Sequence, residues 1–314
     1  MRRPLLTIAV LAASVAVLPA AANASYKIGI SDQRADTFTN PLYAPLHLSM
    51  ARYITPWDAM NRPKDKAALI AWITAAEAAH QRVLLAFQAS QTPGQQRHIP
   101  SRAEYTKAIL KVHRAFPEIK DIQPWNEANR CQRRAGNLVL GQPICKIGKG
   151  TKAAATYYMA ARKVFRGAKI SGLDVLDQAN VKPTVAYIRS FLKYAHPRPT
   201  IWGFHNYSDT NRFSSSRTKA LLKVTKSGQV WLTETGGIVD FGHSFPYNQK
   251  RAAKALGCMF TIAKSSSRIK RLYIYNFTAA QPDSEFDSGL VNVDGSKRPG
   301  WTVVAQRKAG RCHK

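Results

Sequence analysis

The sequence predicts a single-domain (β/α)8 barrel, on three observations. Eight short apolar runs of strand length alternate with helical segments; most of those runs end in polar residues; and about 290 residues follow an N-terminal leader, a size at which such barrels form as one unit. A doubly wound open sheet is the alternative, but so many polar strand ends favour one shared mouth.

The leader comes first. Arg2 and Arg3 precede an apolar stretch from Leu5 to Leu18, and Ala22-Asn23-Ala24 has the small-x-small form of a cleavage site. Residues 1–24 are expected to be a secretory signal peptide and 25–314 the barrel, since a membrane anchor would need roughly 20 apolar residues. Secretion and a monomer, with no membrane contact after processing, are expected.

Strand one is Tyr26 to Ile30, before Ser31-Asp32-Gln33. Asn40 to Leu48 carries two prolines and allows only a short irregular helix. Ser49 to Ile54 is strand two, ending at Thr55-Pro56-Trp57-Asp58. From Lys64 to Gln81, Leu69, Trp72, Ile73 and Ala76 recur at helical spacing. Val83 to Phe87 is strand three, and Ser101-Arg102-Ala103-Glu104 is a capping box opening a helix that Pro117 ends.

Strand four, Ile119 to Ile122, runs into Gln123-Pro124-Trp125-Asn126-Glu127-Ala128-Asn129, and Asn129 to Gly150 reads as an inserted loop. Helix Thr151 to Phe165, strand five Lys169 to Val175 and helix Pro183 to Tyr194 follow. Strand six, Ile201 to Phe204, ends in His205-Asn206-Tyr207. Serines 214–216 open a helix before strand seven, Val230 to Thr233, which delivers Glu234. A helix from Pro246 to Ala263, strand eight Leu272 to Phe277 and a closing helix Pro299 to Lys308 complete the count.

All four cysteines lie beyond the leader, an even number that in an exported chain favours disulfides. Three pairings are possible; Cys131–Cys145, closing the loop after strand four, and Cys258–Cys312, tying a late helix to the tail, are favoured. Neither the cysteines nor the histidines have zinc-site spacing, so no metal is expected. The formal charge is +29, or +27 without Arg2 and Arg3, a field that attracts polyanions. An anionic polysaccharide or cell-wall polymer is one reading; the other is a generally basic surface, because lysines and arginines are dispersed over most helices. No nucleic-acid motif is present. Gly-x-Ser-x-Gly and phosphate-loop patterns are also missing, and nothing calls for a cofactor.

In a parallel barrel all strand carboxyl ends open on one face, so Glu127 and Glu234, 107 residues apart, can meet across one cleft. Two carboxyls, one protonated and one ionised, are what hydrolysis of a glycosidic bond requires. Arg52 and Tyr207 are placed to hold Glu234 ionised as nucleophile; Asn126 is placed to orient a sugar 2-hydroxyl, leaving Glu127 as acid/base. Trp57, at a strand end, and Trp125 are candidates for stacking on sugar, packing under the site being an equal reading for Trp125, whereas Trp72 and Trp202 read as core. Asp32, Asn129, Asn276 and Asp287 could line the mouth.

The ordered set Trp125-Asn126-Glu127, His205-Asn206-Tyr207 and Trp231-Leu232-Thr233-Glu234 resembles clan A of the glycoside hydrolases, retaining barrel enzymes with acid/base and nucleophile on strands four and seven. Families 39 and 5 are the nearest in type, and the likeness runs through Gly289-Leu290-Val291 to Lys297-Arg298-Pro299. The resemblance implies Glu127 as acid/base, Glu234 as nucleophile, Asn126 at the 2-hydroxyl, Arg52 and Tyr207 supporting the nucleophile, and His205 lining the cleft. The sequence departs from the clan where many members carry a strand-eight tryptophan as sugar platform: here the run is Tyr273-Ile274-Tyr275-Asn276-Phe277, with Tyr275 or Phe277 as substitutes. The alternatives are a non-catalytic barrel that binds carbohydrate or cell wall, and a transglycosylase with the same residues.

Overall fold

The computed structural model describes residues 26–135, 138–281 and 283–313, without side chains over 134–140; the expected leader lies outside it. Parallel strands β1 (Lys27–Ser31), β2 (Met50–Pro56), β3 (Arg82–Gln88) and β4 (Asp121–Gln123) pair in sequence order. An antiparallel hairpin, β5 (Arg133–Ala135) and β6 (Leu138–Leu140), stands in the loop after β4. The sheet continues through β7 (Lys169–Ile170), β8 (Asp174–Leu176), β9 (Ile201–His205), β10 (Gln229–Thr235) and β11 (Ile269–Tyr275), which pairs with β1.

The fifth barrel strand is therefore two pieces. β7 pairs only with β4 and β8 only with β9, and the link closes the barrel: Ser171 N donates to Ile122 O (2.9 Å) and Gly172 N to Ile201 O (2.8 Å). The expected single strand Lys169 to Val175 breaks here because it must change partners within three residues.

Of the helices α1 (Pro63–Ala78), α2 (Arg102–Ala115), α3 (Lys149–Val164), α4 (Lys182–Phe191), α5 (Tyr207–Asn211), α6 (Ser216–Thr225), α7 (Gln249–Lys264) and α8 (Pro299–Ala305), the short α5 is buried beside the mouth and the others cover the outside. Ser101 accepts the Glu104 amide and Glu104 accepts that of Ser101, so α2 starts at the expected capping box. Asn40 to Leu48 supplies only a 3-10 turn, Ala44–Leu46. Among the described residues no helix is long and apolar enough to cross a membrane. Cys131–Cys145 and Cys258–Cys312 are both bonded, the first at the base of the hairpin loop and the second joining α7 to the tail.

Inside the barrel the side chains sort by depth. Met50, Leu84, Ile201, Trp231 and Tyr273 form an apolar plug towards the amino ends, where Arg271 lies 3.8 Å over the Trp231 ring and joins Arg82 on Asp121. Above it Ser31, Arg52, Gln123, Asp174, His205 and Thr233 are all fully buried. That polar layer is the floor of the site.

Candidate active site

Buried polar side chains must pair with one another, and Arg52 is the hub of the pairing. From β2 its guanidinium donates to Gln123 Oε1 (2.8 Å), Ser31 Oγ (3.0 Å), Glu234 Oε2 (2.9 Å) and Asn126 Oδ1 (2.6 Å), and lies 3.5 Å from Asp174. Gly203 on β9 leaves the room, since a Cβ there would stand 2.4 Å from Asp174 Oδ1.

Strict alternation along β10 would point Thr233 and Glu234 to opposite faces. A register shift between Leu232 and Glu234 lets both serve the mouth: Thr233 Oγ1 donates to Asp174 Oδ1 (2.6 Å), and Glu234 Oε1 accepts from Tyr207 Oη (3.0 Å). Burial and then the Glu234 carboxylate raise the Tyr207 phenol well above its ordinary range, so it stays a donor. Glu127 is presented differently. Its backbone is left-handed, φ 43°, a conformation that costs a glutamate free energy and that the bond from its N–H to Asp174 Oδ2 (3.2 Å) helps to hold.

His205 stands between the two glutamates. Nε2 lies 2.9 Å from Asp174 and Nδ1 3.1 Å from Glu127 Oε1, with Glu234 Oε2 at 3.7 Å. Burial alone would lower its pKa, but Asp174 and Glu234, with the hydrogen bonds to Asp174 and Glu127, raise it to about 10 and make it an imidazolium. The outer oxygen of Glu127, Oε2, accepts from Arg130 Nη1 at 2.9 Å. Burial pushes the Glu127 carboxyl up, yet Arg130 and His205 outweigh it and hold it well below its usual range.

One ligand-type atom from each of Glu127, His205 and Glu234 lies within 4.8 Å of the others, the arrangement a metal ion would need. The charge is already answered: three carboxyls, Glu127, Asp174 and Glu234, face Arg52, Arg130 and the His205 imidazolium, and a dication would have to displace them. The glutamates open on a cavity of about 850 Å³. Its wall is aromatic: Phe286, from the loop after β11, packs on Tyr207, Phe241 and Tyr275 with ring centroids 5.5, 5.6 and 6.1 Å apart. Arg130, Arg133 and Arg212 also line it.

Glu127, Glu234, Arg52, Asn126, His205 and Tyr207 thus lie in one connected cluster, and Tyr275 stands on the cavity wall. The other expected substrate contacts fall elsewhere. Trp57 is buried in the apolar core and does not line the cavity, because its amide extends the β2–β3 pairing to Gln88 O and its indole packs beside His98. Asn276 spends its amide on Thr278 O and Ser288 Oγ, and Phe277 is buried against Tyr43. Asp32, Asn129 and Asp287 bind backbone or side chains of neighbouring loops. Asp174, Arg130 and Phe286 were not anticipated. An acid inside the apolar run of strand five was the one signal for Asp174; nothing in the sequence brings Phe286 back to the mouth.

The class that fold and cluster define is a (β/α)8 barrel with a paired-carboxyl cleft at its strand carboxyl ends. Solved glycoside hydrolases share that fold. A GH5_18 protein from Streptomyces cattleya, in complex with GlcNAc, matches with TM-score 0.64 at 12% identity over 91% of this chain and 80% of that one. A GH10 endoxylanase from a sugarcane soil metagenome matches with TM-score 0.64 at 14% identity, over 90% and 96%. A family 39 glycoside hydrolase from Bacteroides cellulosilyticus WH2 matches with TM-score 0.57 at 14% identity over 90% of this chain, which spans 63% of that protein. No family model and no curated protein matches the chain.

Proposed function

We propose that this chain is a secreted, retaining glycoside hydrolase acting on a poly- or oligosaccharide, with Glu234 as nucleophile and Glu127 as acid/base. One observation carries the reading: two buried carboxyls from different strands open on one cavity with oxygens within 4.8 Å, one clamped in the polar floor, the other facing the open side. Retention needs carboxyls about 5–5.5 Å apart, inversion about 6.5–9.5 Å to admit a water between them.

In the first step a Glu234 oxygen attacks the anomeric carbon while Glu127 gives its proton to the departing glycosidic oxygen. Arg52 and Tyr207 hold Glu234 in position through hydrogen bonds to its two oxygens. In the second step Glu127 takes a proton from water, whose oxygen displaces Glu234 and releases the sugar with its original anomeric configuration. Arg52 occupies Asn126 Oδ1, which leaves Nδ2 for the 2-hydroxyl. Tyr275 with Phe286 takes the place of the tryptophan platform. The formal charge of +29 supports an anionic glycan.

The test is reducing-end release from neutral and anionic polysaccharides by wild type, Glu127→Ala and Glu234→Ala. Glu127→Ala is expected to lose about 10²–10⁴-fold; Glu234→Ala should be dead towards glycans and yield an inverted glycosyl azide from an activated aryl glycoside. Unchanged release by both variants would refute the assignment, and tight binding of a glycan with no release by wild type would make the chain a binding protein.

A further inference from the structure

The acid step needs a proton on Glu127, and the resting site is built to keep that proton away. The groups that face Glu127 are His205 from β9, Glu234 from β10, Asp174 from β8 through the amide, Tyr207 and Tyr275 from beyond β9 and at the end of β11, and Arg130 from its own loop. Of the two cations in contact with it, His205 is buried beneath the pair, whereas the Arg130 side chain is 37% exposed and lines the open cavity.

Arg130 is fixed at its base, while its guanidinium, bonded to Glu127, reaches the open cavity. Its carbonyl accepts from Gln142 N (2.7 Å), Gln142 Oε1 accepts from Trp125 Nε1 (2.9 Å), and the next residue, Cys131, is bonded to Cys145. The guanidinium can therefore change partner without moving the loop. Arg133 stands further out on the same loop, its side chain 47% exposed and paired with the equally exposed Glu285 at 2.6 Å, and Arg212 lines the cavity too. A planar guanidinium fork matches a carboxylate or sulfate better than it matches a hydroxyl.

We propose that the cleft takes a glycan carrying an anionic substituent on its leaving-group side, and that this substituent draws Arg130 off Glu127 and so arms the acid. The proposal rests on the glycosidase reading. Glu127 stands beside the leaving oxygen in that reading, so the partner of Arg130 must come from the sugar that departs. Once Arg130 turns to the substituent, Oε2 of Glu127 takes up one proton from solvent, Oε1 keeps its hydrogen bond from His205, and the proton passes from Oε2 to the glycosidic oxygen. A neutral glycan leaves the Arg130–Glu127 pair closed and is cleaved slowly.

The chain has six glutamates, at 77, 104, 118, 127, 234 and 285, so carboxyl ¹³C spectra of glutamate-labelled full chain can follow Glu127, assigned by its loss in Glu127→Gln. The Glu127 titration midpoint is expected to rise by about one pH unit or more when D-glucuronate, D-galacturonate or inorganic sulfate is added to wild type, and to stay put with glucose or galactose. A response to uronate alone assigns a carboxylate, to sulfate alone a sulfate ester. In Arg130→Gln the midpoint should be high from the start and insensitive to the anions, and the kcat/KM ratio of anionic over neutral glycans should fall about tenfold or more. A midpoint that no anion moves in wild type, or one unchanged in a folded Arg130→Gln, overturns the proposal even if glycans are cleaved. The expected titrations with no cleavage of any glycan would instead sink the glycosidase reading alone.

Discussion

His205 keeps its proton at pH values where a histidine in water has lost it: burial disfavours the charged ring, but Asp174, Glu234 and Glu127 surround it and outweigh that cost. The folded pKa is raised from 6.5 to about 10, so the stabilisation is complete below 6.5 and fades as pH climbs through about 10. Thermal unfolding should therefore fall by several degrees over that window, about 2–4 °C per kcal/mol lost. His205→Asn should have a lower but flatter profile; a wild-type profile as flat as the variant's would contradict the imidazolium. Glu127 and Asp174, both lowered, act at the other end, and their contributions are lost as pH falls. At this scale the sequence shows the two glutamates plainly, since each ends an apolar run. It hides their controllers. Asp174 lies between Leu173 and Val175, which read as ordinary strand, and Arg130 follows the motif in a stretch that looks like any polar loop.

The helices and most strands follow from periodicity and caps, and the exceptions have local causes. Strand five splits because it bonds β4 with one half and β9 with the other; the hairpin β5–β6 is too short to show alternation; and α5, five residues long, begins where Asp177 accepts the amides of Ser208 and Asp209, both at 2.9 Å. The β10 bulge is likewise invisible, since a two-residue period cannot announce its own interruption. The two disulfides act on elements of different reach. Cys131–Cys145 closes a separation of 14 residues and Cys258–Cys312 one of 54, so loop-closure entropy assigns about 3 and about 4 kcal/mol respectively. Replacing each pair by serine should lower the urea midpoint more for Cys258–Cys312, while the Cys131–Cys145 variant should be nicked faster by trypsin in the 130s. The reverse order of midpoints would show that the tail is not held through this bond.

Over the whole molecule the eightfold alternation and the shared mouth are what the sequence makes most legible, because they depend on many residues at once. The excess of cations is equally plain, and its placement is not: Arg52, Arg82, Arg271 and Arg298 are consumed in ion pairs, three of them buried, while most lysines are left on the surface. Retention on pectin or alginate beads should therefore be strong at about 0.05 M salt and weak at about 0.5 M, where screening shortens to a few ångströms. Retention on cellulose should change little. Equal behaviour on the two supports would assign the charge to solubility alone.

Arg52 bonds partners on or just beyond β1, β4 and β10 and touches Asp174 and His205 on β8 and β9. A lineage of such chains could not exchange Arg52, Asp174 or Glu234 one at a time without leaving a buried charge short of its partner. The loops around residues 130 and 285 reach that floor less directly: Arg130 pairs with Glu127, and Glu285 pairs with Arg133. Descent would hand on that floor as one block and leave the rim of the cleft freer to vary.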